Sequence, residues 1–297
     1  MAGGQDGAGG NGPEGTPRGG QHPVAFVLGG GGIRGAVQVG MLEALFEAGI
    51  APDLIVGTSI GAINGAIAAS DPSPAVIAKL VAAWTSPAAR AVYGTSFGQR
   101  LRTFASSRTH VNSPEPLRRL LADALGENAT FEGLAVPLMV GAANIERAAE
   151  HWFDSGPLID AVMASSSVPG LLPPTRVEGE HYIDGGIVNS IPIEQAVTAG
   201  ARTIYVLQVG RVEQPLSAPT GAFETARVAF EVARRHRYAR DMRLLPEGVD
   251  VHVLPTGGAI EGDEKLGSYR RMGPTLQRIE RAHAASRQYI ASFLRRP

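Results

Sequence analysis

A serine stands between two glycines at Gly57-Thr58-Ser59-Ile60-Gly61, with an apolar run before it and small helix-forming residues after it. A serine in a tight strand-to-helix turn is the nucleophile-elbow pattern. The turn is strained, so its flanking residues must be small, and Gly57 and Gly61 meet that need. The hydroxyl is then lifted clear of the sheet at a helix N-terminus. There the backbone N–H groups and the helix dipole favour developing negative charge. The plain alternative for the same five residues is a glycine-rich turn with an N-capping serine.

A second cluster, Gly29-Gly30-Gly31-Gly32-Ile33-Arg34-Gly35, also lies between an apolar run and a helical pattern. Its N–H groups can converge on an anion. An acyl-transfer enzyme needs such donors for the oxyanion of its tetrahedral intermediate, at about 3 kcal/mol of transition-state stabilisation each. Gly30, Gly32 and Gly35 also satisfy the spacing G-x-G-x-x-G of dinucleotide loops. That reading asks for an acidic residue at the end of the second strand, where this chain has Gly57 and Ser59. A P-loop is excluded because Ala36 stands where a lysine is required. The third signal, Asp184-Gly185-Gly186, follows the apolar pair Tyr182–Ile183. An aspartate at a strand end can project into a cleft while two glycines bend the backbone away, although Asp-Gly alone is a common turn.

The elements that must position these residues follow from hydrophobic periodicity. Val24–Leu28 reads as a buried strand and Ile33–Ala48 as a helix ended by Gly49. Leu54–Val56 is a second strand, and Ala62–Ala69 a helix of small residues. This alternation predicts a parallel sheet with helices on its faces. Pro74–Thr85 reads as a helix. A capping box from Asn112 to Glu115 opens another over 115–125. Strands are expected at Leu138–Ala142, Glu150–Phe153, Tyr182–Ile183, Thr203–Val209 and Val249–Leu254. Helices are expected at Pro157–Ala164, Pro192–Thr198, Ala222–Leu245 and Glu264–Leu294, the last broken near Gly273–Pro274. Residues 86–113 fit no regular pattern and are read as a lid or part of an acyl channel.

Composition narrows the function. The 297 residues are 44% hydrophobic and 19% charged, with no cysteine and a net charge of −1. A chain of this size buries its core without disulfides. Thiolate zinc sites and cysteine nucleophiles are excluded, and the overall field argues against nucleic acid as partner. His110, His151 and His181 show no metal-ligand spacing, so neither metal nor cofactor is expected. The Gly-rich residues 1–22 read as a disordered leader ahead of one domain over 23–297. No signal peptide and no run of about 20 apolar residues occurs, which points to a cytoplasmic protein, peripheral to a membrane at most. Arg234, Arg235, Arg237, Arg240 and Arg243 form a basic helical stretch, read either as a solvated face or as a contact for anionic headgroups. Trp84, Trp152, Phe97 and Phe104 are read as core residues that could also line an acyl pocket.

Glycine loop, G-x-S-x-G and Asp-Gly-Gly in this order resemble the patatin-like phospholipase family. Ala164-Ser165-Ser166-Ser167-Val168-Pro169-Gly170-Leu171-Leu172-Pro173-Pro174 is similar to the family's segment ahead of its Asp-Gly motif, and Asp184 through Pro192 to its continuation. The resemblance runs from about Val24 to Val209 and fades in the C-terminal third. It implies a three-layer α/β/α fold with a mostly parallel sheet, and hydrolysis of lipid acyl esters by a Ser–Asp dyad without a cofactor. By that match Ser59 is the nucleophile and Asp184 the base. Gly30, Gly31 and Gly32 form the oxyanion loop with Arg34 beside it, and Gly57, Gly61, Gly185 and Gly186 support the motifs. Family members often carry alanine where this chain has Gly186, and glycine is expected to serve there. A carboxylate is a weak base, so the site must raise the pKa of Asp184 by desolvation, within hydrogen-bond reach of Ser59 in a largely apolar cleft. Two alternatives stand beside this reading. One is a Ser-Asp-His hydrolase, for which His252 is a better candidate than His236 or His283; the other is a non-catalytic protein that binds lipid or acyl chains.

Overall fold

The computed structural model describes residues 23–93, 103, 106–210, 215–258 and 272–294. The expected leader over residues 1–22 lies outside them. Five strands run parallel: β1 (Val24–Leu28), β2 (Leu54–Thr58), β3 (Leu138–Asn144), β7 (Thr203–Leu207) and β8 (Asp250–Val253), in the order β3-β2-β1-β7-β8. At one edge the sheet turns antiparallel. There β4 (Ala149–Phe153) and β6 (Glu180–Asp184) both pair with β3, and β5 (Thr175–Val177) pairs with β6.

Side chains alternate across a strand, so β1 serves two cores at once. Phe26 and Leu28 face one layer with Ile55, Leu207 and the helices α1 (Ala36–Glu47) and α2 (Ile60–Ser70). Ala25 and Val27 face the other with Val56, Ile204, Val206 and Ile193. The first layer also takes α3 (Val76–Thr85), α4 (Pro87–Tyr93), α5 (Glu115–Leu125), α6 (Leu158–Ser165) and α10 (Met272–Leu294). The second takes α8 (Ile193–Thr198) and α9 (Ala222–Arg243), with the short α7 (Gly186–Asn189) packed against α9. The three-layer α/β/α arrangement is the one the motifs imply. Because β1 and β2 are buried on both faces, they read as continuous apolar runs.

The C-terminal helix docks where the sequence permits contact between backbones. A Cβ on Gly40 of α1 would lie 2.1 Å from the carbonyl oxygen of Ile279 on α10. Any side chain there would push α10 away.

The structure departs from the sequence expectations in a few places. The Asn112–Glu115 capping box does not form: Pro114 is the N-cap of α5, and the Glu115 N–H takes Ser113 Oγ instead. The last helix runs through Gly273–Pro274 without the expected break, and the part of it expected over 264–271 lies outside the described residues. The irregular stretch after Thr85 contains α4, and β5 was unforeseen because three residues are too few to show a period. Phe97 and Phe104, and most of the stretch between them, lie outside the described residues.

Candidate active site

Strand β3 acts as a splint for the site. Its consecutive residues Gly141 and Ala142 pair with Thr58, the last residue of β2, and with Asp184, the last residue of β6. The ends of β2 and β6 therefore meet, and Ser59 Oγ donates to Asp184 Oδ2 at 2.6 Å. Both residues are buried, Ser59 at 6% and Asp184 at 3% exposure.

Ser59 has φ 57° and ψ −124°, a backbone region that non-glycine residues rarely enter. Such a residue stores on the order of 1–3 kcal/mol of strain. The surroundings leave no room to relax it. A Cβ on Gly61 would sit 2.0 Å from the Leu28 carbonyl oxygen, and one on Gly57 would sit 2.6 Å from that of Gly61. A Cβ on Gly35 would strike Ile60 at 2.2 Å, so the third glycine of the nucleotide-like spacing serves to pack the helix start against the elbow. We expect Gly61→Ala to lower stability by about 3 kcal/mol, near the upper end of the usual overpacking cost, as read from urea unfolding.

The elbow is held by serines of the run Ser165-Ser166-Ser167. Ser165 Oγ accepts the Ser59 N–H at 2.8 Å and donates to the Gly141 carbonyl at 2.6 Å. The Asp184 N–H takes the Ser167 carbonyl at 2.9 Å, and the Gly185 N–H takes that of Ser165 at 3.3 Å. Three serines in succession after an apolar helix were the available signal. Ser165→Ala strands a buried donor and a buried acceptor, so we expect a loss of roughly 2 kcal/mol in unfolding free energy and slower turnover. Equal stability of variant and wild type in urea melts would remove Ser165 from this role.

Asp184 has two further controls. The Gly186 N–H donates to its Oδ1 at 2.7 Å. Burial pushes its pKa from 3.8 up to about 6, against the opposing pull of the bonds from Ser59 and Gly186. The expected rise in basicity by desolvation is present. The carboxylate takes its hydrogen bonds from Ser59 Oγ and the Gly186 N–H, and burial excludes water from it. The glycines after Asp184 are tightly constrained. A Cβ on Gly185 would lie 2.1 Å from the Gly141 carbonyl oxygen, and one on Gly186 would lie 2.9 Å from both Asp184 Oδ1 and Phe230 Cζ. Phe230 thus fills space that an alanine at 186 would contest.

The glycine loop arrives at the elbow from β1. Gly30 packs directly on Ser59, since a Cβ there would lie 3.4 Å from that of Ser59. Its N–H, however, is committed to the Ser190 carbonyl at 2.8 Å. This removes Gly30 from the three expected anion donors and makes it a spacer. Gly31 and Gly32 occupy the N-cap and first position of a 3-10 turn over Gly32–Gly35, where N–H groups have no partner inside the turn. Ile60, first in α2, is in the same position. Gln38 anchors the loop from below. Its Nε2 donates to the carbonyls of Gly29 and Leu207 at 2.8 and 2.7 Å, and its Oε1 accepts from Asn64 Nδ2 at 2.8 Å. Trp84 Nε1 donates to Asn64 Oδ1 at 3.0 Å, so one buried polar chain ties α3 and α2 to the loop. Polar residues on the apolar faces of α1 and α2 were the sign that went unread.

The remaining expectations divide. Trp84 lines an apolar pocket with Ile60, Ile63, Ile67, Val92 and Leu120. Trp152 instead covers Gly141, where a Cβ would meet its ring at 2.7 Å. His252 is stacked between Tyr205 and Phe293 on β8, separated from Asp184 by β7, β1, β2 and β3. It cannot orient against Asp184, which bonds Ser59 directly. His283 pairs with Glu47 at 2.7 Å. With Glu43 these two are the group among the described residues that could hold a metal ion; they sit between α1 and α10, away from the strand ends that carry Ser59. The basic stretch on α9 is solvated only in part: Arg240 and Arg243 are exposed, whereas Arg234 is buried. Arg234 and Arg235 face Glu231, Arg237 pairs with Glu150 and Glu194, and Arg240 pairs with Glu194 and Asp241. Among the described residues, no helix is long and apolar enough to cross a membrane.

The profile of the patatin-like phospholipase family matches residues 26–197, more than half of the chain. The chain belongs to this family. A patatin-like phospholipase domain-containing protein of Caenorhabditis elegans is 32% identical over 195 residues, covering 65% of this chain and 14% of that protein. Neuropathy target esterase sws of Drosophila melanogaster is 30% identical over 191 residues, 64% of this chain and 13% of its own length. Lysophospholipase nte1 of Aspergillus terreus is 33% identical over 199 residues, with shares of 64% and 12%. The patatin-like chain therefore corresponds to about an eighth of these much longer relatives. Among solved structures, VipD from Legionella pneumophila aligns over 92% of this chain and 67% of its own, with 14% identity and a TM-score of 0.45. The patatin-like match ends at residue 197, so β7, α9, β8 and α10 lie outside it.

Proposed function

We propose that the chain is a serine-dependent hydrolase of lipid acyl esters that works through a Ser59–Asp184 dyad. The observation that carries this reading is the 2.6 Å hydrogen bond from Ser59 Oγ to a buried carboxylate whose pKa is raised to about 6. A serine hydroxyl needs a base to become a nucleophile. With its pKa nearer to neutrality, Asp184 accepts the serine proton more readily than an ordinary carboxylate does.

In the proposed cycle, Ser59 Oγ attacks the ester carbonyl carbon as its proton passes to Asp184 Oδ2. The N–H groups of Gly31 and Gly32 take up the resulting oxyanion. Collapse expels the alcohol, which recovers the proton from Asp184 and leaves an acyl group on Ser59. Water then attacks the acyl-enzyme, with Asp184 again acting as base, and the fatty acid departs. The lysophospholipase and esterase names among the relatives support an acyl ester of this kind as substrate.

A serine-directed fluorophosphonate tests the reading. Label on Ser59, with protection by a lysophospholipid or monoacylglycerol, is the expected result. A folded protein that takes no label is a lipid-binding protein instead. The pH profile follows from the state Asp184 must be in. The dyad needs an ionised carboxylate, so kcat/KM should fall about tenfold per unit below pH 6 and level off above it.

A further inference from the structure

Asn189 and Ser190 are buried, at 2% and 3% exposure, yet both side-chain polar atoms of Asn189 and the Ser190 hydroxyl have no hydrogen-bond partner among the described residues. Protein interiors rarely leave such groups unpaired, because each has given up its contacts with water for nothing in return. Two more belong to the strands under α7. Thr58, Gly141 and Trp152 form one row across β2, β3 and β4, and Thr58 Oγ1 and Trp152 Nε1 are also buried and unpaired. A Cβ on Gly141 would lie 3.1 Å from Thr58 Oγ1 and 2.8 Å from Trp152 Cη2, so the glycine lets both side chains converge. The helix α7, which ends at Asn189, packs against β3 and β4.

Asn189 and Ser190 belong to a ring that the dyad closes. From Asp184 the chain runs through α7 to Ser190, whose carbonyl takes the Gly30 N–H at 2.8 Å. Gly30 lies against the nucleophile: a Cβ there would be 3.4 Å from Ser59 Cβ and 3.2 Å from Ser190 Oγ. Ser59 Oγ then returns to Asp184 Oδ2 at 2.6 Å. Only the missing side chain of Gly30 separates the unpaired Ser190 hydroxyl from Ser59.

We propose that Asn189 and Ser190 hold the water that releases the acyl group from Ser59. A buried water needs about two to four polar partners, and an amide and a hydroxyl supply both donors and acceptors. Thr58 and Trp152 extend this polar lining inward. The inference rests on the hydrolase reading and deepens it by assigning positioning residues to the second half of the cycle. In that step the water oxygen bonds to the acyl carbon as one of its protons passes to Asp184 Oδ2. The bond between the acyl carbon and Ser59 Oγ then breaks, the fatty acid leaves, and Oγ recovers the proton from Asp184. The second proton of the water stays available to Asn189 Oδ1 or Ser190 Oγ throughout. An alcohol carries carbon in that place and gains nothing from these acceptors. A free hydroxyl of the substrate is the other source of the same hydrogen-bonding chemistry.

The test follows the fate of the acyl-enzyme. Full-length wild type, Asn189→Leu and Ser190→Ala are given a 4-nitrophenyl ester of a medium-chain fatty acid in buffer containing 1-butanol, with Ser59→Ala as the blank. The products divide between free acid and butyl ester. Their ratio is set by the acyl-enzyme alone and does not depend on how much of a variant is folded. Replacing an unpaired polar group by an apolar one of similar size is close to neutral for stability, so both variants should fold. Each should shift the ratio toward the butyl ester by about tenfold, through loss of a positioned water. A shift confined to one variant leaves that residue as the holder. An unchanged ratio in both overturns the proposal, whatever happens to the overall rate. If KM for a monoacylglycerol rises in its place, the two residues serve the substrate's own hydroxyls. Wild-type protein with no Ser59-dependent cleavage of the ester overturns the hydrolase reading itself.

Discussion

Asp184→Asn should abolish ester turnover and, at pH 8, make the protein harder to unfold. The native pKa of Asp184 is raised from 3.8 to about 6. A raised native pKa means the folded state holds the proton more tightly than the unfolded chain. The stability contributed by that proton is complete below pH 3.8 and is lost as pH rises through about 6. Above that point the wild type carries a buried charge that costs on the order of 3 kcal/mol relative to the neutral side chain. Asparagine removes the charge and keeps both bonds, its Nδ2 facing Ser59 Oγ and its Oδ1 facing the Gly186 N–H. The stability gap between variant and wild type should therefore open between about pH 4 and 6 and close below. Turnover should drop at least roughly a thousandfold, as when other serine hydrolases lose the partner of the nucleophile. Paired denaturant melts and kinetics across pH check both halves. A variant that is less stable at pH 8, or that keeps its activity, would falsify the account of a buried carboxylate acting as base.

Ser59→Ala should lose as much turnover, but its stability should move the other way. Removing Oγ takes a hydrogen-bond donor from Asp184 Oδ2, leaving the buried carboxylate with the Gly186 N–H on its other oxygen. At neutral pH this should destabilise by about 1–3 kcal/mol. Ser59→Gly separates that effect from backbone strain. Glycine accepts φ near 57° without penalty, so it should be more stable than the alanine variant by about 1 kcal/mol or more. Equal melting of the two variants would show that the elbow stores no strain. A loss of less than about a hundredfold in either would remove Ser59 as nucleophile.

These expectations draw on features of unequal visibility in the sequence. The elbow was legible because its constraint is local: Gly57 and Gly61 are demanded by backbone atoms within a few residues and by the end of the neighbouring strand. The strands at Val24–Leu28 and Thr203–Leu207 were legible because both faces are buried and the runs are apolar throughout. The role of Gly30 was not. Whether its N–H is free for an anion depends on the Ser190 carbonyl, 160 positions later in the chain. Gln38 and Asn64 were overlooked for a related reason. Their partners are main-chain carbonyls, each other and Trp84, and these leave no pattern in composition or spacing. The pairing of the α9 arginines was only partly visible, because some of the acids that neutralise them come from other elements, Glu150 on β4 and Glu194 on α8.

By itself, then, the order of residues determined the layered α/β architecture, the strained turn at Ser59 and the family, since each depends on short-range geometry and burial pattern. Only the tertiary structure decided that Ser59 and Asp184 touch and that the Gly30 N–H is taken by Ser190. The reason is the register of β3, which sets Thr58 and Asp184 against adjacent residues. Pairing between strands far apart in the chain is chosen by the packing of both faces together, and no local stretch carries that information.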